Sequence, residues 1–157
     1  MVGRYATIKH LIHQFGQDLI TKVPGIITKR GEYGDYLTLA GAPGLLVPAR
    51  CADGRIFGLS IRCDGPGDGG RYRWLSSKHH GGPGPEMAVH VPRFDGGTHT
   101  VRITEGLLKA DVATTLSGTL TLGLPGVASW KLCLPVLEQI QPGTILLAFD
   151  ADWRVST

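Results

Sequence analysis

Three short apolar runs in the last third of the chain, VRIT (101–104), LTLGL (120–124) and TILLAF (144–149), alternate with two stretches of helical length, GLLKADVATTL and SWKLCLPVLEQI. This alternation constrains the fold more than any other feature. A strand that is apolar at nearly every position has no face suited to water, and connections of helical length join strands that run parallel. The reading is an α/β fold: a Rossmann-like βαβαβ core over residues 99–157, with helices on both faces of a parallel sheet. Pro135 lies near or inside the second helical stretch and is expected to kink it.

Residues 1–98 read differently. From Tyr5 to Val23 the apolar residues Ile8, Leu11, Ile12, Phe15, Leu19 and Val23 recur at three- and four-residue steps, which predicts one amphipathic helix stopped by Pro24-Gly25. Short strands are expected at Tyr36–Leu39, Leu45–Ala49 and Arg55–Arg62, with Asp53-Gly54 as a type I′ hairpin turn. RYRWL (71–75) resumes extended structure and MAVHV (87–91) reads as a further short strand. Most of the 23 glycines and 10 prolines fall in loops, among them DGPGDGG (64–70), expected to be mobile, and KHHGGPGPE (78–86). The organisation is thus an N-terminal helix and a small, mainly β subdomain over 1–98, followed by the core over 99–157.

A chain of 157 residues with a formal net charge of +3 can bury an ordinary core, and its charge suits a polyanion without demanding one. Six of its 16 Lys and Arg residues, Arg50, Arg55, Arg62, Arg71, Arg73 and Lys78, lie within one short stretch. Charge alone allows either a solvated loop region or a nucleic-acid surface. Cys51, Cys63 and Cys133 make no C-x-x-C pair, which argues against a disulfide framework or a zinc ribbon and fits reduced thiols in a cytoplasmic protein. No signal pattern or membrane-length apolar run is present. His10 and His13 share a helix face, but without a third ligand nearby they read as solvated residues.

Two of the apolar runs end in acid: Glu105 follows VRIT, and Asp150 and Asp152 follow TILLAF. In open parallel sheets functional groups gather beyond the carboxyl ends of the strands. If these two strands are neighbours, three carboxylates face one space, and a magnesium or manganese ion would relieve their repulsion. The alternative is that the acids only cap the helices that follow.

TEGLLKADV (104–112) and LLAFDADW (146–153) resemble the two signature motifs of the Toprim domain. LLVPARCADGRIFGLSIR (45–62) followed by GGRYRWLSS (69–77) is similar to the basic subdomain of bacterial replicative primases. From about Val23 onward the chain looks most like the primase-like Toprim domains of phages, plasmids and integrative elements, which share wording such as LTLAGAPGLLVP. The resemblance implies Glu105 as the acid/base or metal-linked residue, Asp150 and Asp152 as metal ligands, and Arg62, Arg71 and Arg73 along a template groove. Two departures stand out. Replicative primases carry an acid four residues after the glutamate, where this chain has Lys109. A Toprim core also continues with another helix and strand, so the resemblance implies that either the chain is a fragment or the fold is cut short at its C-terminus.

Lys109 lies one helical turn beyond Glu105, where it either pairs with that glutamate, contacts a phosphate or is an ordinary surface lysine. Tyr72 and Trp74 either stack bases between the arginines or pack inward. The function expected is a primase-like nucleotidyltransferase of a mobile-element replication protein. Its catalytic residues would be Glu105 and Lys109, its metal ligands Glu105, Asp150 and Asp152, and its nucleic-acid contacts Arg55, Arg62, Arg71, Arg73 and Lys78. Single-stranded DNA template, nucleoside triphosphates and a helicase or other replication protein are the expected partners. A Toprim nuclease and a non-catalytic nucleic-acid-binding module are the alternatives.

Overall fold

The structure, a computed structural model, describes residues 4–65 and 70–150. Asp152 lies outside these residues, as does the 66–69 part of the expected glycine-rich loop. Two compact units divide the chain: residues 1–46 with 58–86, and residues 47–57 with 87–157.

In the first unit the expected single N-terminal helix is two, α1 (Arg4–Phe15) and α2 (Gln17–Ile20). Gly16 separates them with φ +81°, a conformation glycine adopts without the steric cost other residues meet, and periodicity does not register such a break. Next come β1 (Ile26–Gly31) and β2 (Gly34–Leu39), paired antiparallel from Ile26 opposite Leu39 to Gly31 opposite Gly34. The β1 strand went unread because only Ile26 and Ile27 are buried, while Thr28, Lys29 and Arg30 are exposed. Ile8, Ile20, Ile26 and Leu37 form the core between these helices and the hairpin.

Three further strands, β3 (Gly44–Arg50), β4 (Ile56–Cys63) and β5 (Tyr72–Trp74), form a sheet in the order β3-β4-β5. The β3–β4 turn is not type I′. Only Gly54 has positive φ, +81°; its N–H donates to Cys51 O (3.0 Å), and the Cys51 N–H donates to Arg55 O (2.9 Å). Those two bonds describe a type I turn followed by a glycine bulge, so a single left-handed residue suffices and Asp53 avoids the strain. In place of the expected MAVHV strand there is one isolated bridge, His90 with Gly123.

The second unit carries the parallel sheet, in the order β7-β6-β8, with β6 (Thr100–Glu105) central, β7 (Thr121–Leu124) and β8 (Thr144–Ala148). Both ladders are parallel. Helix α3 (Leu107–Ser117) joins β6 to β7; a 3₁₀ segment, Val127–Cys133, and α4 (Leu134–Ile140) join β7 to β8. Pro135 does not kink a longer helix. It sits in the first turn of α4, where its missing N–H costs nothing, and the preceding turn is 3₁₀. Val101, Ile103, Leu120, Leu122, Leu124 and Cys133 are buried together, whereas Ile145, Leu146 and Leu147 of β8 are exposed. All three cysteines are free thiols, and burial pushes that of Cys133 up to about 11. Among the described residues no helix is long and apolar enough to cross a membrane.

Candidate functional site

The chain leaves β6 for β7 on one side and then crosses back to β8 on the other, so the strand order reverses beside β6. A crevice opens at such a reversal, beyond the carboxyl ends of the two diverging strands. Glu105 and Asp150 flank that point. Thr104 is paired with Ala148 in the ladder, which puts Glu105 one residue and Asp150 two residues past it. With strands about 4.8 Å apart, the two acids leave the same end of the sheet from adjacent strands, one residue out of step. The Thr104 hydroxyl donates to Ala148 O at 2.8 Å and ties the strands together just beneath them.

Helix α3 starts directly after Glu105. Its N-cap is Gly106 with no side-chain capping bond, and among the described residues Glu105 has no side-chain partner, so this glutamate is not a helix cap. Gly123 of β7 lets the helix approach: a β-carbon there would stand 2.9 Å from the Ala110 Cβ and 3.0 Å from Gly106 O. Lys109, one turn into α3, forms an ion pair with Asp150, not with Glu105; both side chains are about half exposed.

Among the described residues no three His, Cys, Asp or Glu side chains converge as a metal site. Glu105 and Asp150 supply two carboxylates from adjoining strands. An all-oxygen donor set of this kind suits a hard divalent cation better than zinc or copper, and the Lys109 ammonium is the cation it would displace or join at Asp150.

One functional-looking group escaped the sequence reading. His90 is fully buried; its Nδ1 accepts the Arg50 backbone N–H at 3.0 Å, and its Nε2 meets Asp111 Oδ1 at 3.0 Å. Burial lowers its pKa against the opposing pull of Asp111, so the ring is neutral and protonated on Nε2. A short apolar stretch such as MAVHV carries no signal for this arrangement, because both partners come from distant segments.

The basic residues do not form one row. In the β4–β5 ladder Arg62 faces Tyr72 and Ile61 faces Arg73, so Arg62 shares a sheet face with the half-exposed Tyr72 while Arg73 shares the other with buried Ile61. The Arg73 Nε donates to Gly70 O at 3.3 Å. Arg71 is exposed, and Lys78 is exposed in a 3₁₀ turn, Lys78–His80. Arg55, in the second unit, is engaged by Asp53 at 2.7–2.8 Å, and its backbone and guanidinium hold the Asp53 carboxyl below its usual pKa. Trp74 is half-buried, its ring close over Gly58.

With this geometry the chain was compared with known proteins. No family model and no curated protein matches it. Solved structures do. The RNA polymerase domain of Mycobacterium tuberculosis primase DnaG is similar with TM-score 0.63 and 17% identity over 98% of this chain and 52% of that one. The fold resembles that of about half of a DnaG primase domain. The same mycobacterial domain in complex with double-stranded DNA gives TM-score 0.62 at 18% identity, covering 96% and 49% of the two chains. A DnaG primase catalytic domain bound to single-stranded DNA gives 0.58 at 14% identity, covering 93% and 48%. The chain therefore spans about half the length of the DnaG chains it matches.

Proposed function

We propose that this chain is a primase-like domain of the Toprim type, belonging to a replication protein of a phage, plasmid or integrative element, that binds single-stranded nucleic acid and a divalent cation. The observation that carries the reading is that Glu105 and Asp150 lie one and two residues past the last paired residues, Thr104 and Ala148, of two adjacent parallel strands, at the point where the strand order reverses. The DnaG fold supports it, since the similar structures include domains bound to DNA. Glu105 and Asp150, joined by Asp152, would hold Mg²⁺ or Mn²⁺. The ion would supply charge stabilisation for nucleotidyl transfer from a nucleoside triphosphate. Arg62, Arg71 and Lys78 are the candidate phosphate contacts, the Arg73 guanidinium being held by Gly70 O, and a helicase or another replication protein would deliver the template.

Primer synthesis on a single-stranded template with nucleoside triphosphates and Mg²⁺ tests this reading. Asp150→Ala with Asp152→Ala should abolish synthesis and weaken Mn²⁺ binding; unchanged synthesis would remove these acids from the site. Strand shortening without nucleotide incorporation would instead identify a nuclease.

The Lys109–Asp150 ion pair favours a second reading, a nucleic-acid-binding module without catalysis, because an ammonium already neutralises one of the acids. Under that reading oligonucleotide binding persists undiminished in chelator.

A further inference from the structure

We propose that Trp130 and Lys131 form a nucleobase-stacking platform for single-stranded nucleic acid at the same end of the parallel sheet as the carboxylate site. This rests on the nucleic-acid reading above and adds to it a contact that the basic stretch does not supply.

The placement comes from the sheet. Leu124, the last residue of β7, is paired with Glu105 in the ladder. The chain then leaves on the same side as Glu105 and Asp150, through an extended Gly126 into the 3₁₀ segment Val127–Cys133. Trp130 lies six residues past Leu124. With an extended rise of about 3.3 Å and a 3₁₀ rise of about 2 Å per residue, it is at most about 16 Å along the chain from Leu124, which lies one strand spacing of about 4.8 Å from Glu105.

The ring is presented on a fixed frame. Cys133 is buried, and Leu132, Val136 and Leu137 pack on the same core, so the residues that follow Trp130 are anchored. Ser129, at φ −90° and ψ 15°, departs from helical geometry immediately before it. The indole nevertheless remains 51% exposed. An indole set half in water on an anchored turn forgoes much of the stabilisation its burial would bring.

Charge indicates the ligand. Lys131 Nζ stands 5.8 Å from the Trp130 ring centroid, near the outer limit of a cation–π contact, and residues 125–137 contain no acid. A half-exposed aromatic ring with a cation over one face suits a base that stacks on the ring while its phosphate meets the ammonium, the pairing that single-strand binders use. Val127 and Leu134 are also exposed nearby, so an apolar polypeptide is the competing ligand, and it has no use for the lysine.

The test compares oligo-dT with an abasic oligomer of the same length, which carries the same phosphates and no bases. Trp130→Ala should weaken oligo-dT binding about 5- to 150-fold and leave the abasic oligomer unaffected, while Trp130→Phe retains most of the affinity. In a variant with Trp74 and Trp153 changed to Phe, the remaining Trp130 fluorescence should be quenched by oligo-dT and not by the abasic oligomer. Equal affinities of wild type and Trp130→Ala for oligo-dT, or equal losses on both oligomers, would overturn the stacking assignment. So would a loss of self-association in Trp130→Ala with oligonucleotide binding intact. If the wild-type protein binds neither oligomer, the nucleic-acid reading itself fails along with the platform.

Discussion

His90 and Asp111 are joined at 3.0 Å inside the second unit, with the imidazole fully buried and its other nitrogen committed to the backbone of Arg50. The bridge of His90 to Gly123 adds β7 to the same junction. One residue therefore links three elements: its neutral side chain joins β3 to α3, the helix that also carries Lys109, and its backbone joins β7.

Acid should undo this junction. The folded-state pKa of His90 is depressed, first by burial and then by the Arg50 charge, with Asp111 pulling the other way. The unfolded chain, at about 6.5, takes up a proton first, so the contribution of His90 to stability is complete above that pH and is lost as the pH falls toward the folded value. Protonation also places a hydrogen on Nδ1, where the Arg50 N–H must be accepted. Thermal unfolding should show Tm falling between about pH 7 and pH 5. His90→Gln should flatten that dependence, and Asp111→Asn, which removes the group that holds the pKa up, should steepen it. His90→Ala is expected to cost about 2–4 kcal/mol, because a cavity and an unpaired backbone N–H remain. A wild-type Tm independent of pH in this range would refute the assignment.

Lys109 and Asp150 lead to a prediction in which stability and binding separate. Both side chains are about half exposed, so the pair is worth about 0–1 kcal/mol, screened further by salt. Lys109→Ala should leave Tm nearly unchanged. With the competing ammonium gone, Mn²⁺ affinity measured by calorimetry should rise in Lys109→Ala and fall in Asp150→Asn. A fall in both variants would mean that the lysine orients the carboxylate instead of competing for it.

The parallel core was legible because its signal is local: VRIT, LTLGL and TILLAF announce buried strands, and β6, β7 and β8 lie where those runs predict. The adjacency of Glu105 and Asp150 followed once β6 and β8 proved to be neighbours. What sequence could not supply were pairings between distant segments. His90 meets Asp111 and Arg50 through tertiary packing, and Lys109 pairs with Asp150, 41 residues away, and not with Glu105 one turn before it. The Gly16 break and the bulged turn at Gly54 were missed for a different reason, since periodicity reports which residues face inward and not the local backbone conformation. Nor does alternation in RYRWL reveal which strand lies opposite. That Arg62 and Arg73 occupy different faces emerges only from the β4–β5 register.

Gly123 tests the packing of the site's helix. A methyl group there would press on Ala110 Cβ and Gly106 O, neither of which is the end of a flexible side chain. Gly123→Ala should therefore destabilise by about 1–3 kcal/mol in urea unfolding, in spite of the higher strand propensity of alanine. Loss of stability should be accompanied by weaker Mn²⁺ binding, since α3 must move away from β7 and displace Glu105, which immediately precedes its N-cap Gly106. A neutral substitution would mean that α3 is free to shift.

Arg62 and Arg73 separate the two faces of the basic ribbon. Arg62 shares its face with Tyr72, which is 50% exposed, whereas the Arg73 guanidinium is bonded to Gly70 O and its face is shared with buried Ile61. A half-buried cation beside an exposed aromatic ring, with no bond among the described residues holding its guanidinium to the loop as Gly70 O holds that of Arg73, is the combination that follows a single strand. For each phosphate contact removed, the slope of log K against log salt should fall by about 0.7 on single-stranded DNA. Arg62→Ala should show that fall, Tyr72→Ala should weaken binding without changing the slope, and Arg73→Ala should do neither. Equal slopes for Arg62→Ala and wild type would place the strand on the other face of the ribbon, and a reduced slope for Arg73→Ala alone would identify that face directly.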